Sequence, residues 1–258
     1  MHKIKKMKYL YRIYQLFIVL PLALLASIIT SIVTIIGCFL GNGHFWGYYP
    51  ARCWGWFMVR ILLLPVEVRG RENISDECSY VFVSNHQGAF DIFLIYGFLR
   101  RNFKWMMKWQ LRNIPLIGKA CQAANHIFVD KRGPRRIKET YDKAREILRK
   151  GISVVVFPEG SRSFTGHMGE FRRGAFMLAD ELQLPICPIT INGSFNVMPR
   201  TRDMKWVIWH PLSLTIHKPI MPKGKGVEYE KEAMREAYQI VMDGLVPEYK
   251  GYKKNPDQ

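Results

Sequence analysis

Residues 80–99 read YVFVSNHQGAFDIFLIYGFL, and the change of pattern within them decides the fold. Tyr80 to Val83 are four β-branched or aromatic residues in a row, which marks a short strand. Ser84 to Gly88 interrupt the apolar run, and behind Asp91 it resumes as IFLIYGFL, so the segment passes from strand to helix across one polar junction. The same alternation extends outward. Strands are predicted at 65–69, 80–84, 126–130, 152–157, 186–191 and 212–217, each short and bounded by turn residues. Between them, 135–150 sets Ile137, Tyr141, Ala144, Ile147 and Leu148 on one helical face and stops at Gly151, while 228–245 does so with Met234, Ala237, Tyr238 and Val241. Strands alternating with helices predict an α/β layer architecture over 65–248, with 249–258 as a frayed tail and no internal repeat.

Upstream the pattern differs. From Leu16 to Leu40 no side chain is charged, and as a helix that stretch would be about 37 Å long, enough to cross a hydrocarbon core. Lys3, Lys5, Lys6, Lys8 and Arg12 precede it without an acid, so the positive-inside bias keeps the amino terminus cytosolic. A cleaved signal peptide is the rival reading, and the length of the run and the lack of a small-x-small site weigh against it. Trp46, Tyr48, Tyr49, Trp54, Trp56 and Phe57 follow, residue types that settle at headgroup level, while Arg52 and Arg60 make a second simple crossing costly. Residues 1–64 are therefore expected to be a membrane anchor, a hydrophobic helix at 13–40 plus an aromatic interfacial segment. One crossing and a re-entrant hairpin both remain open.

The chain has 258 residues, of which 38 are Lys or Arg and 21 Asp or Glu, a net charge of +17. That excess calls for a polyanionic partner, whether lipid headgroup, phosphate substrate or acidic protein. Residues 100–136 hold ten of the basic side chains against the single acid Asp130. Phe103, Trp105 and Trp109 among them could stack nucleic-acid bases, but an anchor already supplies an anionic partner, and no nucleic acid is expected. The five cysteines are odd in number, widely spaced and free of CxxC, against both a disulfide framework and a zinc site. His126, His167, His210 and His217 show no metal-ligand spacing, and no metal is expected. GxxxxGK[ST] and GxSxG are absent, against P-loop nucleotide hydrolysis and against an esterase elbow.

Two constellations carry chemistry. His86 and Asp91 are five residues apart, which on one helix would turn them about 140° from each other. They meet only if His86 precedes the helix and Asp91 lies in its first turns. The helix N-terminus then favours the carboxylate and a neutral imidazole, and the carboxylate fixes the ring's tautomer. A loop histidine beside a capping aspartate has the same spacing. The second constellation, FPEGSRS at 157–163, ends an apolar strand in a glycine turn. Gly160 and Ser161 offer backbone N–H groups and Arg162 a guanidinium suited to phosphate, while Glu159 is expected to orient Arg162 or accept substrate hydroxyls. A solvated turn with a surface ion pair is its plainer reading.

NHQGAFD and FPEGSRS together resemble the glycerolipid acyltransferases, specifically the 1-acyl-sn-glycerol-3-phosphate (lysophosphatidate) acyltransferases. Asn85, His86 and Asp91 match the NHxxxxD element. Lys108, Leu111, Pro115 and Gly118 are similar to KxEL…P…G, followed by FVDK at 128–131, and Pro185 to Ile189 looks like the proline-bearing strand. Gln110, Ser161 and Lys131 depart mildly from the usual acid, threonine and arginine. The resemblance spans about 64–220 and implies a mixed sheet flanked by helices. It implies acyl transfer from acyl-CoA or acyl-carrier protein to the sn-2 hydroxyl of lysophosphatidate, giving phosphatidate for phospholipid biosynthesis, with another lyso-lipid as the alternative acceptor. His86 would be the general base and Asp91 its orienting partner, with Lys108, Glu159, Gly160, Ser161 and Arg162 binding substrate. No tightly bound cofactor is implied. The expected partners are lysophospholipid, acyl thioester, anionic membrane lipids and an acyl-carrier protein, with the catalytic domain on the cytoplasmic face of a membrane.

Overall fold

The computed structural model describes residues 2–201 and 206–253. Its frame is a seven-stranded sheet, β1 (Val66–Arg69), β2 (Val81–Ser84), β3 (Phe103–Lys108), β4 (Ile127–Val129), β5 (Ser153–Val156), β6 (Ile186–Asn192) and β7 (Leu212–Ile216), in the order β1-β7-β6-β2-β5-β3-β4. Neighbours run parallel except β6 and β7, whose antiparallel register runs from Ile189↔Ile216 to Asn192↔Ser213. The sheet is mixed, as expected, and the strands agree with the sequence reading to within a residue or so, with one exception. β3 was hidden in the basic stretch, because Lys104 and Lys108 interrupt its apolar pattern. Lys104 is nevertheless only 2% exposed.

Ten helices surround the sheet among the described residues: α1 (His2–Tyr14), α2 (Leu20–Leu40), α3 (Gly43–Trp46), α4 (Tyr49–Arg60), α5 (Phe90–Phe98), α6 (Ile117–Ala123), α7 (Pro134–Arg149), α8 (Gly174–Leu182), α9 (Ser194–Val197) and α10 (Val227–Asp243). Successive strand residues point to opposite faces, so β2 feeds two cores. Phe82 packs with Leu94, Ile95 and Phe103 under α4 and α5, while Val81 and Val83 pack with Ala144, Phe176 and Ala237 from α7, α8 and α10.

A π-helical turn, Gln15–Val19, joins α1 to α2, so the chain is helical from His2 to Leu40. Its Lys6–Leu40 portion is long and apolar enough to cross a membrane. It does not stand apart from the domain. The Tyr11 and Tyr14 hydroxyls donate to the carbonyls of Leu62 and Ile61 at 2.8 and 2.6 Å, and the Trp54 indole donates to Ser27 Oγ at 3.0 Å. The aromatic segment is split rather than laid along one interface. Tyr48 is 2% exposed and Trp54 meets Phe93 of α5 edge to face, while Trp56, Tyr49 and Phe45 point outward. The expected tail also begins later than 249. Tyr249 closes a one-turn helix, Pro247–Tyr249, and buries its ring against Phe195 and His167; residues 254–258 lie outside the described ones.

Candidate active site

β2 delivers the polar junction and α5 receives it. Asn85 is fully buried and clamps the junction to β6, donating Nδ2–H to the Ile191 carbonyl and accepting the Ile191 N–H, both at 2.8 Å. His86 follows before the helix starts, and Asp91 lies in the first turn of α5. The two meet, His86 Nδ1–H donating to Asp91 Oδ2 at 2.7 Å. The Gly88 N–H donates to the same oxygen at 2.9 Å, and a Cβ on Gly88 would lie 2.5 Å from Ser194 Oγ, so only glycine fits this approach. Asp91 is inaccessible and His86 is 13% exposed. With Nδ1 carrying the proton, Nε2 of the neutral ring is an acceptor.

The second constellation is folded against the first. The Ser163 N–H donates to the His86 carbonyl at 2.8 Å. Phe157 stacks on the imidazole, 3.8 Å between centroids and 7° between planes, and Trp105 stacks behind Phe157 at 5.3 Å. Glu159 departs from expectation. It is 1% exposed, and its carboxylate accepts the backbone N–H groups of His86 (2.6 Å) and Gly169 (2.8 Å) instead of orienting Arg162 or facing substrate. The strand's last turn rolls it inward, and burial pushes its carboxyl up to about 8. Gly160 (φ +76°) packs beside the Arg172 guanidinium, 3.3 Å from where a Cβ would stand.

His86 opens into a cavity of about 1030 Å³. Gly160, Ser161, Arg162 and Lys108 line it, and Lys131, Arg172 and Arg200 join them. These side chains feel one another. Burial, then Arg200, Arg172 and Arg162, holds the Lys108 ammonium below its usual range, and burial, then Arg172 and Lys108, does the same for Lys131. Arg200 donates to the Arg162 carbonyl at 3.0 Å. The rest of the lining is mostly apolar, with Trp54, Phe93 and Tyr96 on one side and Ser27, Ser31 and Thr34 of α2 forming a wall. Arg172 and Arg200 were missed because only tertiary folding brings them to the FPEGSRS turn; the sole signal was the overall basic excess. Among the described residues no group of three or more His, Cys, Asp or Glu side chains could hold a metal ion.

The family model described as Acyltransferase matches residues 65–192. The chain is 34% identical over 157 residues to the chloroplastic 1-acyl-sn-glycerol-3-phosphate acyltransferase LPAT1 of Arabidopsis thaliana, covering 60% of this chain and 43% of that protein. With the human 1-acyl-sn-glycerol-3-phosphate acyltransferase alpha it shares 38% over 131 residues, 50% of this chain and 46% of that one. It thus spans about half the length of these relatives. The crystal structure of PlsC, the 1-acyl-sn-glycerophosphate (LPA) acyltransferase from Thermotoga maritima, superimposes with a TM-score of 0.74 at 28% identity, over 95% of this chain and 96% of that one.

Proposed function

Since the chain, through residues 65–192, belongs to the acyltransferase family, we propose that it moves a fatty acyl group from an acyl thioester to the sn-2 hydroxyl of 1-acyl-sn-glycerol-3-phosphate, giving phosphatidic acid. One observation carries this reading: His86, tautomer fixed by Asp91, stands where an apolar cavity meets a cluster of cations. The cavity suits an acyl chain and the cluster a dianionic phosphate, so a glycerophosphate hydroxyl held between them lies within reach of Nε2. Nε2 takes the hydroxyl proton as the oxygen attacks the thioester carbonyl. Asp91 stabilises the imidazolium, and the face of Phe157 adds to it. Collapse of the tetrahedral intermediate breaks the carbon–sulfur bond, and the thiolate leaves with the proton from His86. The products are an ester and a thiol, and no acyl-enzyme is needed.

Lys108, Arg162 and the turn at Gly160 and Ser161 position the phosphate, with Lys131, Arg172 and Arg200 completing the cluster. The donor is acyl-CoA or acyl-carrier protein, used as a substrate, and no tightly bound cofactor is invoked. The amino-terminal helix holds the protein at the membrane with the catalytic domain on the cytoplasmic face. The basic flank keeps the amino terminus cytosolic, and a re-entrant course, favoured by the bonds from Tyr11 to Leu62 and from Trp54 to Ser27 that tie both parts of the helix to the domain, keeps the rest of the chain on that same face. Among lyso-lipid acceptors, the gathered cations favour one with a terminal phosphate. The test is transfer of labelled acyl groups to lysophosphatidate in detergent, with both donors and with an uncharged lysoglycerolipid as competitor. Phosphatidate formation that His86→Ala abolishes is expected; equal use of the uncharged acceptor would sink the lysophosphatidate assignment.

A further inference from the structure

The segment before β7 reads WVIWH at 206–210. Trp206, Ile208 and Trp209 face outward, at 41, 57 and 53% exposure, a dense apolar group for a catalytic domain's surface. The segment is firmly held. Val207 exchanges two hydrogen bonds with the buried Gln15 side chain, accepting at 2.9 Å and donating at 3.0 Å. The Trp209 indole N–H donates to the Leu63 carbonyl at 2.9 Å, and Ile208 N–H to the Val197 carbonyl at 3.0 Å. Its apolar side chains are thus presented outward from a fixed backbone.

Leu63 adds an independent oddity. Its backbone is left-handed (φ +56°), a conformation unfavourable for leucine, and its side chain is 64% exposed. Glycine or asparagine would suit the backbone better, and the fold gains little from the isobutyl group. Met7, Leu10 and Ile13 are likewise exposed on α1. Charge identifies the occupant. Lys6, Lys8 and Arg12 share this helix, the Arg12 guanidinium lies 6.0 Å over the Trp206 ring, and no acidic residue precedes Glu67 in the chain. Tryptophan beside aliphatic and basic side chains fits the headgroup boundary of an anionic bilayer.

We infer that Trp206, Ile208 and Trp209, together with Leu63, form a second lipid-contacting patch, carried by the catalytic domain and continuous with the amino-terminal helix. The inference rests on the membrane reading above, and the two can fail separately. The full chain is floated with vesicles of phosphatidylcholine and phosphatidylglycerol, alongside a Trp206→Ser/Ile208→Ser variant and, separately, Leu63→Gly. Trp209 is left intact because its indole holds the Leu63 carbonyl. Each variant is expected to lower the partition coefficient, the double variant by about tenfold, while acyl transfer in detergent and the thermal midpoint hold; for Leu63→Gly the midpoint holds or rises. If native protein floats and both variants float equally well, the patch does not touch lipid. If partitioning is unchanged but the variants abolish self-association in sedimentation, the patch is an interface between copies and the inference is overturned. If native protein does not float at all, the membrane reading falls first and this inference with it.

Discussion

His86 and His126 stand at opposite ends of one aromatic column, Phe157, Trp105 and Tyr96, and differ in how their nitrogens are used. His126 is 2% exposed and has no spare valence. Its Nδ1 accepts the Trp105 N–H at 3.1 Å, so its Nε2–H donates to the Tyr96 hydroxyl at 2.8 Å. Burial, with Lys104 and Lys143 nearby, pushes it down to about 3 and keeps it neutral. His86 gives only Nδ1 to the protein, has a carboxylate to balance a second proton, and faces the cavity with Nε2. On the proposed mechanism, the reactivity of His86 follows from one nitrogen withheld from the structure and one anion placed behind the other.

His86→Ala should separate the two histidines most sharply. We expect phosphatidate formation to fall about 10²–10⁴-fold, with a thermal midpoint near that of the native chain. His126→Ala should do the opposite, leaving two buried partners unsatisfied and costing about 2–4 kcal/mol in denaturant unfolding, while detergent-solubilised folded protein keeps most of its kcat. A reversal of these outcomes would exchange the roles assigned to the two rings. Arg172→Ala should raise the KM for lysophosphatidate about tenfold with kcat less affected, since it removes one cation of the cluster; an unchanged KM would take it out of the phosphate site.

Glu159 gives a gentler test. Its carboxyl is raised to about 8 when folded against an ordinary value of 4.5, so the folded chain binds the extra proton and stability falls as pH rises from about 4.5 through about 8. Glu159→Gln should flatten that decline by a few degrees in a thermal scan across the window, and an equal slope in both proteins would reject the buried, proton-retaining carboxyl. Phe157→Leu, which removes the π face behind the imidazolium, should lower kcat only about two- to fivefold.

How much could be read from residues alone follows the same division. Strand β2, the polar junction and the start of α5 lie within one short stretch, so local pattern placed both His86 and Asp91. Gly160, Ser161 and Arg162 were legible for the same reason, in the turn that ends a predicted strand, whereas Lys108 was singled out only by its resemblance to the family's motif; all four line the cavity. Glu159 was misjudged because a carboxylate beside an arginine looks like an ion pair in sequence, and only folding shows it bound to the N–H groups of His86 and Gly169. Strand β3 escaped because Lys104 is buried against the rule for lysine. Arg172 and Arg200 had no local signature, since each sits apart from the motif it serves.

Ser27, Ser31 and Thr34 belong to the helix that reads as an anchor and also to the wall of the reaction cavity. Deleting residues 1–40 to obtain a water-soluble protein would therefore strip one side from the chamber proposed to take the acyl chain, and would unveil Trp54 and Phe93 to solvent. Greasiness and catalytic competence are fused in that one helix, and a truncation meant to relieve the first should be judged by how much of the second it takes away.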